Sequence, residues 1–417
     1  MGELVIISGR DPFGRSGGAE SYALGHALGA TVAGLQPHVF AAGRRTETYN
    51  ADFGVLHRVA TPIRPTRSLT AGFMRPWLVR AVVRFLADRP GPHILHGYSS
   101  WGCVALAACR RLSALDIEAK TVTTFYTTAE HEASAKLRGR AVRANFRSSS
   151  ELALELAWVR ALTTPLERGV YHESHTIVVN YRSVQALLEL AYGGRDNIFV
   201  LPYAAPTAFG PRAASLRRGS ARAGLPRELA GGDLPLIVCV ARQDGRKGVD
   251  VLIRALAGLR DAGVPFRACL IGSGMLLGLH RRLVRSLGLE SQVALPGRVP
   301  DVMPYLLACD VFVLPSTEEG SGSVAVLEAL QAGAAIVSTG VDGIPEDLTH
   351  ERDALLVAPG SVDELRNALR RVLDDESLRI RLGREARVLH ERRFAPDVVA
   401  RSLGVLYRSL GLSPART

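Results

Sequence analysis

The sequence predicts an α/β chain of two doubly wound parallel-sheet domains, and three observations carry that prediction. Short apolar runs alternate with amphipathic segments from residue 4 to about residue 202. A stretch rich in Pro, Ala, Gly and Arg, roughly 203–233, then breaks the pattern. The alternation restarts at residue 236, with no sequence repeat visible between the halves. At 417 residues the chain suits two domains, each with its own core.

In the first half, LVIIS (4–8), HVFAAG (38–43), HILHGYS (93–99), AKTVTTFY (119–126), HTIVVN (175–180) and NIFVLP (197–202) read as strands. Near-continuous apolar runs of this length suit a parallel sheet covered on both faces. Segments 18–33, 75–88, 101–113, 149–161 and 182–192 read as the intervening helices. In the second half LIVCVA (236–241), FRACLIG (266–272), VALPG (293–297), VFVLP (311–315), AIVST (335–339) and ALLVAP (354–359) are the strands. Helices are expected near 248–262, 275–287, 301–308, 323–332 and 361–373, followed by 376–393 and 396–410. The expected boundaries are therefore a Rossmann-like domain over 1–205, a connection over 206–233, a second Rossmann-like domain over 234–393, and a C-terminal helix in 394–417 that packs back on the first domain. Ligands of open α/β sheets lie beyond the carboxyl ends of the strands, so candidate residues are sought there.

Composition narrows the class. A chain 47% hydrophobic and 22% charged is globular rather than disordered. No apolar run reaches the length of a membrane span, and LVIISG is too short for the apolar core of a signal peptide. Position six is Ile6, where a myristoylation motif needs Ser or Thr. The five cysteines, Cys103, Cys109, Cys239, Cys269 and Cys309, form no CxxC or Cys/His cluster, which suits a reducing cytoplasm without structural zinc. The net charge of +11 comes from 51 Lys and Arg, mostly Arg. A GC-rich genome accounts for such an excess of Arg, and a basic surface for anionic lipid or an acidic substrate is the other reading. Aromatics at 6% and the lack of any helix-turn-helix, zinc or RNP signature disfavour nucleic acid.

Two strand ends carry the chemistry. LIVCVARQDGRK (236–247) runs from a buried strand into a loop with Arg242 and Lys247 beside Gly245 and Gly248. LPSTEEGSGSVAVLEALQAG (314–333) is a strand, a Gly/Ser turn and a helix starting near Ser323, with Glu328 in its second turn. Cations for a pyrophosphate, free helix N–H groups for its oxygens and an acceptor for ribose hydroxyls make up what a nucleoside diphosphate needs. The set points to an activated sugar nucleotide.

Over roughly residues 234–375 the chain resembles retaining glycosyltransferases of the GT-B fold, family 4. The matching words are VARQDGRKGVDVLIRAL, LIGSGMLLGLHRRL, PGRVPDVMPYLLACDVFVLPS and EALQAGAAIVSTGVDGIPE. The resemblance implies two domains facing a cleft, with the acceptor in the first and the donor in the second. It implies that Arg242 and Lys247 neutralise the donor diphosphate, whose oxygens gain charge as it departs. It implies that Glu328, the second Glu of the E-x7-E motif, holds the ribose. Backbone N–H groups of Gly322, Ser323 and Val324 would face the pyrophosphate or donor sugar, with Gly272 also lining the donor. SGGAESYALGHAL (16–28) is similar to the family's Gly-rich loop, so Gly17 and Gly18 would approach the donor phosphate or acceptor, with Glu20 in the first helical turn.

The chain departs from the family twice. Counting eight back from Glu328 lands on Gly320, whereas Glu318 and Glu319 are ten and nine residues away. A one-residue loop extension would bring Glu319 to the donor sugar, and that reading is preferred. The family's histidine after the fourth strand of the first domain falls in TVTTFYTTAEHE, where Tyr126 takes its place and Glu130 and His131 follow. A tyrosine is a poor base near neutral pH but hydrogen-bonds a sugar hydroxyl. In a retaining reaction of this kind the leaving phosphate oxygen takes the acceptor's proton. His131 is the alternative to Tyr126, and His96, at a strand end, is a candidate for the acceptor.

Other motifs are set aside. GRDPFGRS (9–16) nearly spells a Walker A loop, but Arg15 stands where a lysine is required. Gly272-Ser273-Gly274 lacks the third glycine of a dinucleotide fingerprint, and no D-x-D occurs, so no metal is expected. RPWLVRAVVRFLADR (75–89) reads first as a core-packed helix and otherwise as one lying weakly on an anionic membrane. KLRGRAVRANFR (136–147) is open between a loop over the acceptor and a solvated face. The expectation is a retaining, metal-independent transferase of a hexose or N-acetylhexosamine, with a nucleoside-diphosphate sugar (UDP preferred) as co-substrate and no cofactor. Two rivals stay open: a non-catalytic sugar-nucleotide-binding partner, and a sugar-nucleotide epimerase of the same fold.

Overall fold

The computed structural model describes residues 2–9, 18–62, 71–138, 146–201, 203–209, 218–226, 229 and 234–412. The chain divides into two compact units. The first comprises Met1–Ala133, Ala153–Pro206 and Phe394–Thr417; the second comprises Ser134–Leu152 and Thr207–Arg393.

The first unit is built on strands β1 (Leu4–Ser8), β2 (Pro37–Gly43), β3 (Glu47–Ala51), β4 (Gly54–Ala60), β5 (His93–Tyr98), β6 (Ala119–Phe125), β7 (Thr176–Val179) and β8 (Ile198–Val200). Among the described residues they form one sheet in the order β3-β4-β2-β1-β5-β6-β7-β8. The central strands are apolar and buried throughout, as LVIIS and TIVV show, because helices cover both faces. All neighbours pair in parallel except β3 with β4. That hairpin is absent from the sequence reading, because β3 is a half-exposed edge strand, ETYNA, without an apolar run. Gly54, at φ 115°, closes the hairpin where a Cβ would overlap the Pro37 carbonyl.

The second unit carries β9 (Leu236–Val240), β10 (Arg267–Ile271), β11 (Val293–Gly297), β12 (Val311–Leu314), β13 (Ala335–Thr339) and β14 (Leu355–Val357). Their order is β11-β10-β9-β12-β13-β14, with every pair parallel. The winding reverses between β9 and β12, where Val311 and Phe312 lie opposite Ile237 and Val238. Helices Val249–Asp261 and Val362–Asp374 pack together over this sheet, burying Leu252, Ile253, Leu256, Leu369 and Val372. A reversal of winding opens a crevice at the strands' carboxyl ends, which is where such sheets bind ligands.

Three differences from the expected organisation have local causes. Part of the stretch expected to connect the domains is the helix Arg218–Ala223, which packs on the helix Met303–Ala308. Its Arg222 pairs with Asp310 at 3.1 Å, and so this segment belongs to the second unit. A helix over Ala129–Arg138 follows β6, in a stretch too polar to show an apolar stripe. Helix Ala71–Leu86 starts four residues earlier than expected, with Pro76 tolerated inside it. The C-terminal helix Pro396–Ser409 packs on helix Gly18–Val32 of the first unit.

Candidate functional site

The loop leaving β9 is held on both sides by backbone. Gly248 caps the next helix at φ 57°, and a Cβ there would overlap the carbonyl of Pro315, just past β12. The Arg246 carbonyl accepts from the Thr317 amide at 2.7 Å and its hydroxyl at 3.1 Å. On the other side the Gln243 amide donates to the Ser273 carbonyl at 3.1 Å, and the Leu276 amide donates to the Gln243 carbonyl at 2.9 Å. Gly272, at φ 135°, has no room for a Cβ against the Ala241 carbonyl. The Gln243 side chain is fixed by buried His280, whose Nδ1 lies 2.6 Å from Gln243 Oε1. Burial lowers the His280 pKa, with Asp250 and Asp244 opposing. Three loops, from β10, β9 and β12, thus form one rigid ledge at the carboxyl edge of the sheet.

Lys247 and Glu319 meet on that ledge. Lys247 Nζ donates to Glu319 Oε2 at 2.5 Å, and the Ser316 hydroxyl donates to Glu319 Oε1 at 2.5 Å. The glutamate side chain is only 3% exposed and the lysine 12%. The surrounding loop is tied down by Asp342, whose Oδ2 accepts from the Glu319 amide at 2.6 Å and the Gly320 amide at 2.7 Å. Gly320 takes φ 82° and Asp342 itself φ 49°, so the turn is held in left-handed backbone at both sides. Arg242 stands at the rim, half-exposed, 3.5 Å from Asp244 Oδ2.

Downstream, the helix Val324–Ala332 starts from Ser323, which is extended at φ −126° and makes no side-chain cap. The first N–H groups of any helix have no intrahelical acceptor, so Ser323 and Val324 lie at a small positive pole. Glu328 is buried one turn further in. The Thr207 hydroxyl lies 3.4 Å from its Oε1 and 3.2 Å from Gln331 Oε1. Burial pushes the Glu328 carboxyl up from its ordinary 4.5 to about 7, with Asp301 adding to the rise and Thr207 opposing it. The second unit therefore gathers Lys247, Glu319, Glu328, Arg242, Gly272 and the 322–324 turn on three neighbouring strand ends and one helix start.

The candidates of the first unit are scattered. Gly17 lies outside the described residues; Gly18 opens the helix Gly18–Val32, and Glu20 sits in its first turn. Tyr126 follows β6 and stacks on Tyr22 with ring centroids 4.7 Å apart and planes 9° from parallel. His131 sits in the first turn of helix Ala129–Arg138, its amide receiving a cap from Thr128 Oγ1 at 3.1 Å. Glu130 is taken by Arg160 at 2.7 Å. His96 requires a correction. It lies inside β5, fully buried, with Nδ1 2.8 Å from the Tyr407 hydroxyl and Nε2 2.7 Å from Thr124 Oγ1. Both ring nitrogens are committed and burial holds its pKa well below the ordinary range, so His96 is a core residue with nothing left for an acceptor.

Two family descriptions match the chain in succession: Glycosyltransferase Family 4 over residues 16–209 and Glycosyl transferases group 1 over residues 226–389. The fold superposes on sucrose-phosphate synthase from Thermosynechococcus elongatus with a TM-score of 0.76 at 22% identity, over 98% of this chain and 99% of that one. The chain has the GT-B fold and is related to these glycosyltransferases. A second solved structure, HepE of Anabaena in complex with UDP-glucose, superposes with a TM-score of 0.72 at 15% identity, over 98% of this chain and 99% of that one. The 2-deoxystreptamine glucosyltransferase of Streptomyces kanamyceticus is 32% identical over 231 residues, 54% of this chain and 58% of that protein. The chain spans about half the length of the curated relatives it matches.

Several supporting residues of this GT-B ledge escaped the sequence reading. Asp342 and Gly343 form an Asp-Gly turn, a signal that was present in GVDGIPE without a role attached. Thr207 and the Gln243–His280 pair carry no local signal, since each acts on a residue brought near by the fold, whereas Ser316 lies only three residues before the Glu319 it holds. Among the described residues no group of three or more His, Cys, Asp or Glu side chains gathers as a metal site.

Proposed function

We propose that this chain is a retaining glycosyltransferase that moves a hexose or N-acetylhexosamine from a UDP-sugar to an acceptor hydroxyl without a metal ion. The observation that carries the reading is the Lys247–Glu319 pair at the winding reversal of the second sheet. An ammonium and a carboxylate placed together there match a diphosphate beside a sugar. On this reading the pair is a resting arrangement. When donor arrives, Lys247 Nζ turns to the phosphate oxygens and Glu319 is released to accept hydrogen bonds from the donor sugar. Arg242 adds charge at the rim, amides of Gly322, Ser323 and Val324 meet the pyrophosphate, and Gly272 lets the backbone come close. Glu328 accepts from the ribose hydroxyls. The first unit supplies the acceptor side through Glu20, while its Gly17 and Gly18 approach the donor and Tyr126 and His131 stand by the reacting groups.

In the transfer step the bond from sugar C1 to the phosphate oxygen breaks and a bond from C1 to the acceptor oxygen forms on the same face. The acceptor's proton passes to the departing phosphate oxygen, so no side-chain base is needed. UDP as the donor nucleotide is supported by the likeness to a structure holding UDP-glucose. The test is release of nucleoside diphosphate from UDP-sugars in EDTA by the natural chain, Lys247→Ala and Glu319→Ala. The reading expects turnover in the natural chain and a loss of about a hundredfold or more in each variant. Binding without turnover would favour a non-catalytic partner, and turnover unchanged in both variants would remove these residues from the site.

A further inference from the structure

One stretch of the first sheet's sequence is folded into the second unit. Residues Ser134–Leu152 lie between β6 and β7 in the chain, yet they belong with Thr207–Arg393. Two helices carry the chain there and back: Ala129–Arg138 enters at Ser134, and Phe146–Trp158 leaves at Leu152. Glu130, at the root of the first helix, pairs with Arg160 just past the end of the second at 2.7 Å. Leu152, Leu156 and Val159 fall at i, i+4 and i+7, so the returning helix turns one apolar stripe inward. Leu152 is buried together with Leu276 of the second unit, and Leu137 and Leu279 pack against that pair. The main core of the unit, around Ile237, Leu252, Val311 and Leu369, includes none of these four leucines.

The leucines hold part of the ledge. Leu276 stands at the start of the helix Leu277–Ser286 and makes no side-chain cap, and leucine is among the poorest residues for that position. Tertiary contacts fix the helix start instead. On one side Leu276 and Leu279 meet Leu137 and Leu152. On the other, the Leu276 amide donates to the Gln243 carbonyl at 2.9 Å, and His280 Nδ1 lies 2.6 Å from Gln243 Oε1. Gly274 completes the clasp, since a Cβ there would overlap the Gln243 backbone. Gln243 follows Arg242 directly and stands four residues before Lys247. The leucine cluster therefore bears, through close backbone contacts, on the loop that carries both cations. Such placement matters, because a misplacement of about 1 Å at a reacting group can cost about a hundredfold.

We propose that Leu137 and Leu152 are positioning residues of the donor site: they brace Leu276 and Leu279 and so hold the loop that bears Arg242 and Lys247. The role rests on the ledge being the donor site. The test compares the full natural chain with Leu137→Ser/Leu152→Ser and with Leu137→Met/Leu152→Met, which keeps the apolar volume. Hydrogen exchange is followed over residues 272–283, with 249–261 in the main core as reference, and UDP-glucose and UDP-N-acetylglucosamine are titrated in EDTA. The serine variant should exchange faster over 272–283 alone and bind donor about tenfold more weakly, and the methionine variant should match the natural chain in both. Leu137 is half-buried, so Leu137→Ser alone carries the same test where the double variant does not fold. Unchanged exchange in the serine variant would show that the cluster braces nothing. Faster exchange with unchanged affinity would show that the brace does not reach Arg242 and Lys247, and faster exchange throughout the second unit would make the leucines ordinary core. If the natural chain binds neither UDP-sugar, the donor reading falls and the positioning role falls with it, whatever the exchange shows.

Discussion

Replacing Glu328 by Gln should make the chain more stable above neutral pH and weaker for its donor. Glu328 is 9% exposed, and burial raises its carboxyl from 4.5 to about 7. Between those values the folded chain keeps a proton that the unfolded chain has released, so stability falls as pH rises through the window. The distance from 4.5 to about 7, at about 1.4 kcal/mol per pH unit, amounts to about 3 kcal/mol of stability lost by pH 8. Gln is neutral throughout and its Oε1 still accepts from Thr207, so the variant avoids the loss. For a unit of this size about 3 kcal/mol corresponds to roughly 6–12 °C in Tm. The assay is unfolding of both proteins by heat and by urea at pH 5 and pH 8. Other titrating groups cancel in the comparison, and the gap in favour of Glu328→Gln should open between the two values. A gap of the same size at both pH values would refute the reasoning. The same carboxylate should make donor binding tighten as pH rises through about 7, and that slope should vanish in Glu328→Gln.

Two further perturbations test the frame around the site. Asp342→Ala removes the acceptor of the Glu319 and Gly320 amides, and donor affinity measured by calorimetry should fall about tenfold, with Asp342→Asn retaining most of it. Equal affinity in all three would show that the turn holds itself. Tyr407→Phe strips His96 Nδ1 of its partner inside the first unit, which should cost about 1–3 kcal/mol in urea unfolding. A neutral result would mean that the C-terminal helix is held by its apolar face alone.

The parts of this molecule that were legible in the sequence are those with short-range causes. β9 and β12 are unbroken apolar runs because both faces of the sheet are covered, and Gly320 and Gly248 mark turns that need left-handed backbone. Lys247 and Glu319 could be named because they follow those runs, though they are 72 residues apart. The edge strand Glu47–Ala51 was missed because it is half-exposed and polar. Thr207 was missed because its hydroxyl meets Glu328 across 121 residues of sequence, in a stretch that reads as linker. His96 was misjudged for the same reason. A histidine in a strand reads equally as ligand or core, and the partner that decides, Tyr407, lies 311 residues away.

The central claim, that the ledge formed by the loops after β9 and β12 holds a nucleoside-diphosphate sugar, is tested most directly by calorimetric titration in EDTA. UDP-glucose, UDP-N-acetylglucosamine, GDP-mannose and ADP-glucose would be titrated into the natural chain and into Lys247→Ala. Saturable binding of a UDP-sugar, weakened about tenfold or more in Lys247→Ala, is the predicted result. No binding of any of the four, or binding indifferent to Lys247, would contradict it.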